Sequence, residues 1–307
     1  MKYLHLFRIN NLLLLAAMQV AFRYGFYAWQ GITPALLDYQ FVLLVLSTMF
    51  LAAAGYVVND IHDRATDSIN KPGKNLVGTA IPEASAWQIY AGLNIAGVCL
   101  GFFLSYAVDR PWFLLIFMIV VLLLYQYATN LKQSMLTGNL AVAFLAFLSV
   151  MILGLFDLYP ALTAYNRDIL SVVFSILLDF ALFAFIITLL REIVKDLEDV
   201  DGDYNQGMNT LPIALGVKRT TRIAFWFSLL PAGLVLYYLY EYFFLTGLYI
   251  TFGYALAFIA SPLLYCTIRL RDAQKSRDYK HISLILKLII LAGILAIPLI
   301  TINRLYA

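Results

Sequence analysis

Two stretches of this sequence carry carboxylates at a spacing that chemistry can use. The first reads Asn59-Asp60-Ile61-His62-Asp63-Arg64-Ala65-Thr66-Asp67, and the second Arg191-Glu192-Ile193-Val194-Lys195-Asp196-Leu197-Glu198-Asp199-Val200-Asp201-Gly202-Asp203. Helix positions four apart differ by roughly 40° of rotation and one turn of rise, so Asn59, Asp63 and Asp67 share a face. Lys195, Asp199 and Asp203 repeat that ladder. Hard divalent cations such as Mg²⁺ take oxygen ligands, and beside a phosphate a protein supplies about one or two carboxylates per ion. Two such ladders would clamp a diphosphate through bridging metals. Lys71 and Lys74 follow the first ladder, Lys132 lies in the next connection on the same side, and Arg191 and Lys195 open the second. These cations would complete a cage that neutralises a diphosphate leaving group as its bond to carbon breaks. A lone Asp at a helix end is ordinarily just solvated. Matched spacing in two places, each with basic residues nearby, favours a shared site.

The elements that must position these groups are membrane helices. The 307 residues are 63% hydrophobic and only 13% charged, with a mean hydropathy of +0.83, far from an ordinary soluble domain. A hydrocarbon core of about 30 Å needs roughly 20 helical residues. Apolar runs of that order fall at 12–28, 38–58, 87–107, 112–129, 136–156, 169–190, 221–241, 246–268 and 282–302, which predicts nine spans. The first run lacks a small-residue cleavage pattern and is expected to be a helix rather than a signal peptide.

An odd number of spans places the termini on opposite sides. One side collects most Lys and Arg, among them Lys2, Arg8, Arg64, Lys132, Arg191, Lys218, Arg269 and Lys280; the other has mainly Arg110, Arg167 and Arg304. The positive-inside rule then makes the N-terminus and the motif side cytoplasmic and the C-terminus outside. Two cytoplasmic segments, 59–86 and 191–220, are long and polar, and function is expected there. With no linker or low-complexity tract, residues 1–307 read as a single all-α, polytopic membrane domain.

Several function classes drop out. Cys99 and Cys266 lie in apolar runs with no CxxC spacing and read as small buried hydrophobes. A net charge of +3, with no basic cluster interleaved with aromatics, argues against a nucleic-acid partner. No obligate protein partner is evident. Asp179 lies 12 residues before Arg191, about 18 Å into the sixth span at ~1.5 Å per residue. It is either a functional ionisable group or a carboxyl hydrogen-bonded to a neighbouring helix. Lys287 is expected to snorkel to the interface, His62 reads as a surface residue, and His281 begins the last helix and carries no metal-ligand spacing.

The complete match of Asn59, Asp60, Asp63 and Asp67 to an NDxxDxxxD motif, followed by a spaced Asp pair after the sixth span, resembles the UbiA superfamily of intramembrane prenyltransferases. The resemblance covers essentially the whole chain. It implies a UbiA-like helical bundle around a central cavity, Mg²⁺ as cofactor, an isoprenyl diphosphate as donor and a hydrophobic acceptor drawn from the bilayer. It assigns Asn59, Asp63, Asp67, Asp199 and Asp203 to the Mg²⁺–diphosphate site, and Lys71, Lys74, Lys132 and Lys195 to phosphate contacts. Arg8 belongs to the same polar cavity, and Asp60, rotated by roughly 100° from Asn59, to a supporting position. Where quinone-pathway members typically carry tyrosines, this chain has Arg191 and Lys195. The run REIVKDLEDVDGD followed by Asn209-Thr210-Leu211-Pro212 looks like the digeranylgeranylglyceryl phosphate synthase branch. One departure follows Asn70-Lys71-Pro72: the family often has Asp-Arg-Pro, whereas Gly73-Lys74 stands here, keeping a charge but not the bidentate fork of Arg.

The reaction implied is transfer of a prenyl group, geranylgeranyl in that branch, to the hydroxyl of geranylgeranylglyceryl phosphate, forming an ether. An aromatic acceptor, such as dihydroxynaphthoate, 4-hydroxybenzoate or homogentisate, is the alternative within the family. A cation-coupled transporter is the rival from another class, but it expects its binding groups near the midplane, whereas these acids cluster at one interface. The DG-x₂-AR spacing of CDP-alcohol phosphotransferases is absent.

Overall fold

The computed structural model describes residues 2–64 and 76–306, the last three by backbone alone. Asp67, Lys71 and Lys74 lie outside the described residues. The fold is all-α. Nine helices among the described residues are long and apolar enough to cross a membrane: α1 (Ile9–Gln30), α2 (Asp38–His62), α3 (Glu83–Ala107), α4 (Pro111–Thr129), α5 (Thr137–Leu158), α6 (Arg167–Asn205), α7 (Val217–Phe244), α8 (Tyr249–Asp272) and α9 (Ser276–Asn303). This is a multi-pass membrane protein. Every predicted span is present, because in hydrocarbon a backbone must satisfy its own polar groups and an apolar run of this length has the helix as its solution.

The contrast lies after Arg191. The polar segment expected to begin there stays helical through Asn205, so α6 has 39 residues and runs for about 58 Å, well beyond a hydrocarbon core. Ile193, Val194 and Leu197 keep it folded by burying one face against a core that includes Leu211, Leu270 and Tyr279. The second acidic ladder therefore stands on a rigid helix.

The chain divides into two compact units. In the first (Met1–Gln19, Thr33–Lys132, Leu148–Leu177), α2 packs on α3 and α4 through small residues. The Cβ position of Gly97 falls 2.6 Å from Leu51, and Ser47 Oγ donates to Gly97 O at 2.8 Å. Gly55 meets Leu124, and Gly101 meets the ring of Phe117. The buried Gln19 donates to Ser149 O at 3.4 Å and accepts from Thr48 Oγ1 at 3.2 Å, so its amide is paired inside the apolar unit.

In the second unit (Val20–Ile32, Gln133–Phe147, Leu178–Ala307), α7 and α9 pack on α8. Tyr254 Oη donates to Ala292 O at 3.1 Å, and Asn303 Oδ1 accepts from Ile250 N at 3.2 Å. Gly25 lets the backbone of α1 approach Pro298, whose Cβ would lie 3.1 Å from an added methyl.

Candidate active site

The first motif closes α2. Asp63 is its C-cap residue, with its N–H on Asn59 O at 2.9 Å. One turn earlier Asn59 lies beneath it, and Asn59 Nδ2 donates to Asp63 Oδ2 at 2.7 Å. The other carboxylate oxygen, Oδ1, is ion-paired with Lys132 from the connection after α4. Asp60, on the next face, accepts Arg8 Nη2 at 3.1 Å. Arg8 takes a left-handed φ of 50° between the short helix Lys2–Leu6 and α1. Its guanidinium lies 4.7 Å above the ring of Tyr56, whose hydroxyl accepts from Asn11 at 3.2 Å. Two cations and two carboxylates are thus interleaved, with side chains only part-exposed. Asn59, Asp63 and Lys132 are thus joined to one another, and Arg8 is joined to Asp60.

The second motif lies on the projecting end of α6. Arg191, Lys195, Asp199 and Asp203 follow one another at single-turn intervals, with Asp199 exposed and Lys195 and Asp203 half-buried. Arg191 Nη1 donates to Glu192 Oε1 at 2.8 Å, while its buried Nε has no hydrogen-bond partner among the described residues. Beside the ladder, Asp196 Oδ2 accepts from Asn139 Nδ2 at 2.7 Å. Neither Asn139 nor Asp196 was singled out from the sequence. Glu192 and Asp196 are four apart on one face, a signal that was there to read. Asn139, 57 residues away in sequence, carried none.

Asn139→Leu removes the amide that pairs a half-buried carboxylate. Leaving such an acceptor unsatisfied costs about 1–3 kcal/mol. The variant is expected to unfold at lower temperature in a detergent melt; an unchanged melting temperature would mean that Asp196 finds water instead.

The donors fit a hard cation. Asn59, Asp63, Asp199 and Asp203 offer only oxygen, as Mg²⁺ requires, with no thiolate or imidazole among them. Among the described residues no three His, Cys, Asp or Glu side chains converge to hold a metal by themselves.

Asp179 lies in α6, 12 residues before Arg191. With Tyr238 of α7 it lines a cavity of about 320 Å³, lined also by Phe183 and Tyr242. His62 is exposed and packs edge-on to Trp87 and Tyr125.

Residues 12–291 match the UbiA prenyltransferase family. The chain belongs to that family. It is therefore a membrane prenyltransferase. Its UbiA relatives include the digeranylgeranylglyceryl phosphate synthase of Methanobrevibacter smithii, 31% identical over 83% of this chain and 87% of the relative. The enzyme of the same name from Sulfurisphaera tokodaii is 30% identical over 94% of this chain and 96% of its own. Among solved structures, one from work on digeranylgeranylglyceryl phosphate synthase in membranes superposes with a TM-score of 0.66 at 25% identity, covering 98% of both chains. A UbiA homologue from Archaeoglobus fulgidus bound to DMAPP and Mg²⁺ superposes with a TM-score of 0.61 at 21% identity, covering 97% of this chain and 99% of that one. At that identity the likeness is one of fold.

Proposed function

We propose that this UbiA enzyme transfers a geranylgeranyl group from its diphosphate to the hydroxyl of geranylgeranylglyceryl phosphate, with Mg²⁺, making an ether lipid. Residues 1–307 act as one transmembrane domain, with the N-terminus and both motifs on the cytoplasmic side and the C-terminus outside. The A. fulgidus homologue's DMAPP and Mg²⁺ support the donor class and the metal. Two relatives named for this reaction, each matched over most of its length, support the acceptor.

The observation that carries the acceptor reading is Arg191 with Lys195. They stand one turn apart on the helix of Asp199 and Asp203, at the positions where the quinone-type pattern has tyrosines. A phosphorylated acceptor needs cations that an aromatic acid with a single carboxylate does not. Arg191, whose buried Nε lacks a partner among the described residues, has a donor to give.

Asn59, Asp63 and Asp67 of the first motif, with Asp199 and Asp203 of the second, are the residues proposed to hold Mg²⁺. When bound, the ion neutralises the diphosphate as it departs. Lys132, Lys71, Lys74 and Arg8 contact phosphate or pair with the carboxylates. The allylic C–O bond breaks with its electron pair on the diphosphate, the glycerol oxygen bonds to the freed carbon, and the hydroxyl proton leaves last, to the departed diphosphate or to water. So strong an electrophile needs no dedicated base.

The test is a competition in detergent in which labelled geranylgeranyl diphosphate meets geranylgeranylglyceryl phosphate, 4-hydroxybenzoate, homogentisate and dihydroxynaphthoate together. Label is expected in the glyceryl ether. Label in an aromatic product would keep the enzyme class and overturn the acceptor. In the same assay Arg191→Tyr is expected to raise KM for the phosphorylated acceptor about tenfold or more, the loss of one charge-assisted hydrogen bond. An unchanged KM would remove Arg191 from the acceptor site.

A further inference from the structure

The second unit holds a cleft of about 870 Å³ between the first turns of α7 and the last turn of α8 with its link to α9, and no residue of either acidic motif lines it. Its walls join two kinds of surface. Lys218 and Arg222 of α7 and Arg271 of α8 supply positive charge, and all three are exposed. None of the three makes an ion pair with a described residue. The nearby carboxylates are Asp272, exposed, and Asp278. The latter accepts from Lys275 N at 3.1 Å and Gln274 N at 3.3 Å and lies 3.9 Å from Arg269.

Below the charges the same helix faces turn apolar. On α7 the order at intervals of four is Lys218, Arg222, Trp226, Leu230, with Trp226 64% and Leu230 49% exposed. On α8, Arg271 is followed deeper into the span by Ile268, 64% exposed, and Leu264. The back wall is built rather than incidental. Tyr279, 1% exposed, shares a 2.7 Å hydrogen bond with Thr221 and donates to Ala273 O at 3.1 Å, which pins the α8–α9 link to α7.

We propose that this cleft binds an anionic phospholipid of the surrounding bilayer, its phosphate among Lys218, Arg222 and Arg271 and its chain along Trp226 and Leu230. Topogenic Lys and Arg need only reach water at a helix end. Here they converge from two helices on one cavity, above an aromatic and aliphatic track of the depth that a chain below a headgroup would follow. Basic pockets between membrane helices recognise anionic headgroups by this chemistry. The assignment is independent of the transferase acceptor, since it concerns a different surface.

Trp226 is the probe. The full-length protein is reconstituted in phosphatidylcholine vesicles containing brominated-chain phosphatidylglycerol or, at equal mole fraction, brominated-chain phosphatidylcholine. Quenching at Trp226 is isolated by difference from Trp226→Phe. The anionic lipid is expected to associate at least about fivefold more strongly than the zwitterionic one, the effect of a single basic residue near the surface. The triple change Lys218→Gln, Arg222→Gln, Arg271→Gln should bring the ratio close to one, whereas Arg277→Gln, an exposed cation outside the cleft, should leave it unchanged. Equal quenching by the two lipids in the wild type, or a preference that survives the triple change, would overturn the proposal.

Discussion

Asp199→Ala is expected to abolish prenyl transfer, lowering kcat/KM by at least about 10²–10³, the range for losing one preorganised group that stabilises transition-state charge. The fold should survive. Asp199 is exposed on the projecting end of α6, and the core face of that helix is made by Ile193, Val194 and Leu197. Asp63→Asn should be as damaging. It keeps the shape that meets Asn59 and Lys132 but removes the charge. Both variants should require more Mg²⁺ for whatever activity remains, which separates loss of a metal-binding group from loss of structure. Transfer within a few-fold of wild type in either would sink the assignment of its motif.

A second large effect concerns the scaffold of the first motif. The Cβ of any residue replacing Gly101 would lie 2.5–2.8 Å from three ring atoms of Phe117. That ring is 1% exposed and packs on Phe156 at 5.6 Å between centroids, so it has little room to yield. Gly101→Leu is expected to cost about 1–3 kcal/mol as an overpacked core. Gly92, on the same helix, has no heavy atom within 4 Å of the same construction, and Gly92→Ala should stabilise by roughly 0.5–1 kcal/mol through helix propensity. Thermal unfolding in detergent checks the pair. Equal melting temperatures for the two variants would show that α3 shifts freely against α4.

The sequence was most legible where one physical constraint dominated. Apolar run length set the nine spans, because hydrocarbon leaves a backbone few alternatives. Spacing of four placed Asn59 under Asp63, and the order of connections along the chain placed Lys132 on the side of the first motif, where it meets Asp63. What stayed hidden depended on tertiary contact. The ladder after Arg191 was read on a helical spacing, but that the apolar span continues unbroken through it to Asn205 rests on three buried aliphatics. The Asn139–Asp196 pair joins positions that no local pattern connects. Asp179 read equally well as a functional acid or as a hydrogen-bonded one, and its place beside Tyr238 at a cavity depends on how α6 and α7 pack. The cleft beside Lys218, Arg222 and Arg271 was visible only as a bias of charge to one side, because its walls come from helices far apart in sequence.

The central claim is that this chain makes a prenyl ether on a phosphorylated glycerol lipid. The most direct measurement is the mass of the product formed by purified protein from geranylgeranyl diphosphate and geranylgeranylglyceryl phosphate, with Mg²⁺ and with a chelator. The prediction is a lipid heavier than the acceptor by one geranylgeranyl group, resistant to the base that cleaves esters, and absent when the metal is removed. Folded protein that leaves the acceptor's mass unchanged in the presence of Mg²⁺, while alkylating an aromatic acid or nothing at all, would contradict it.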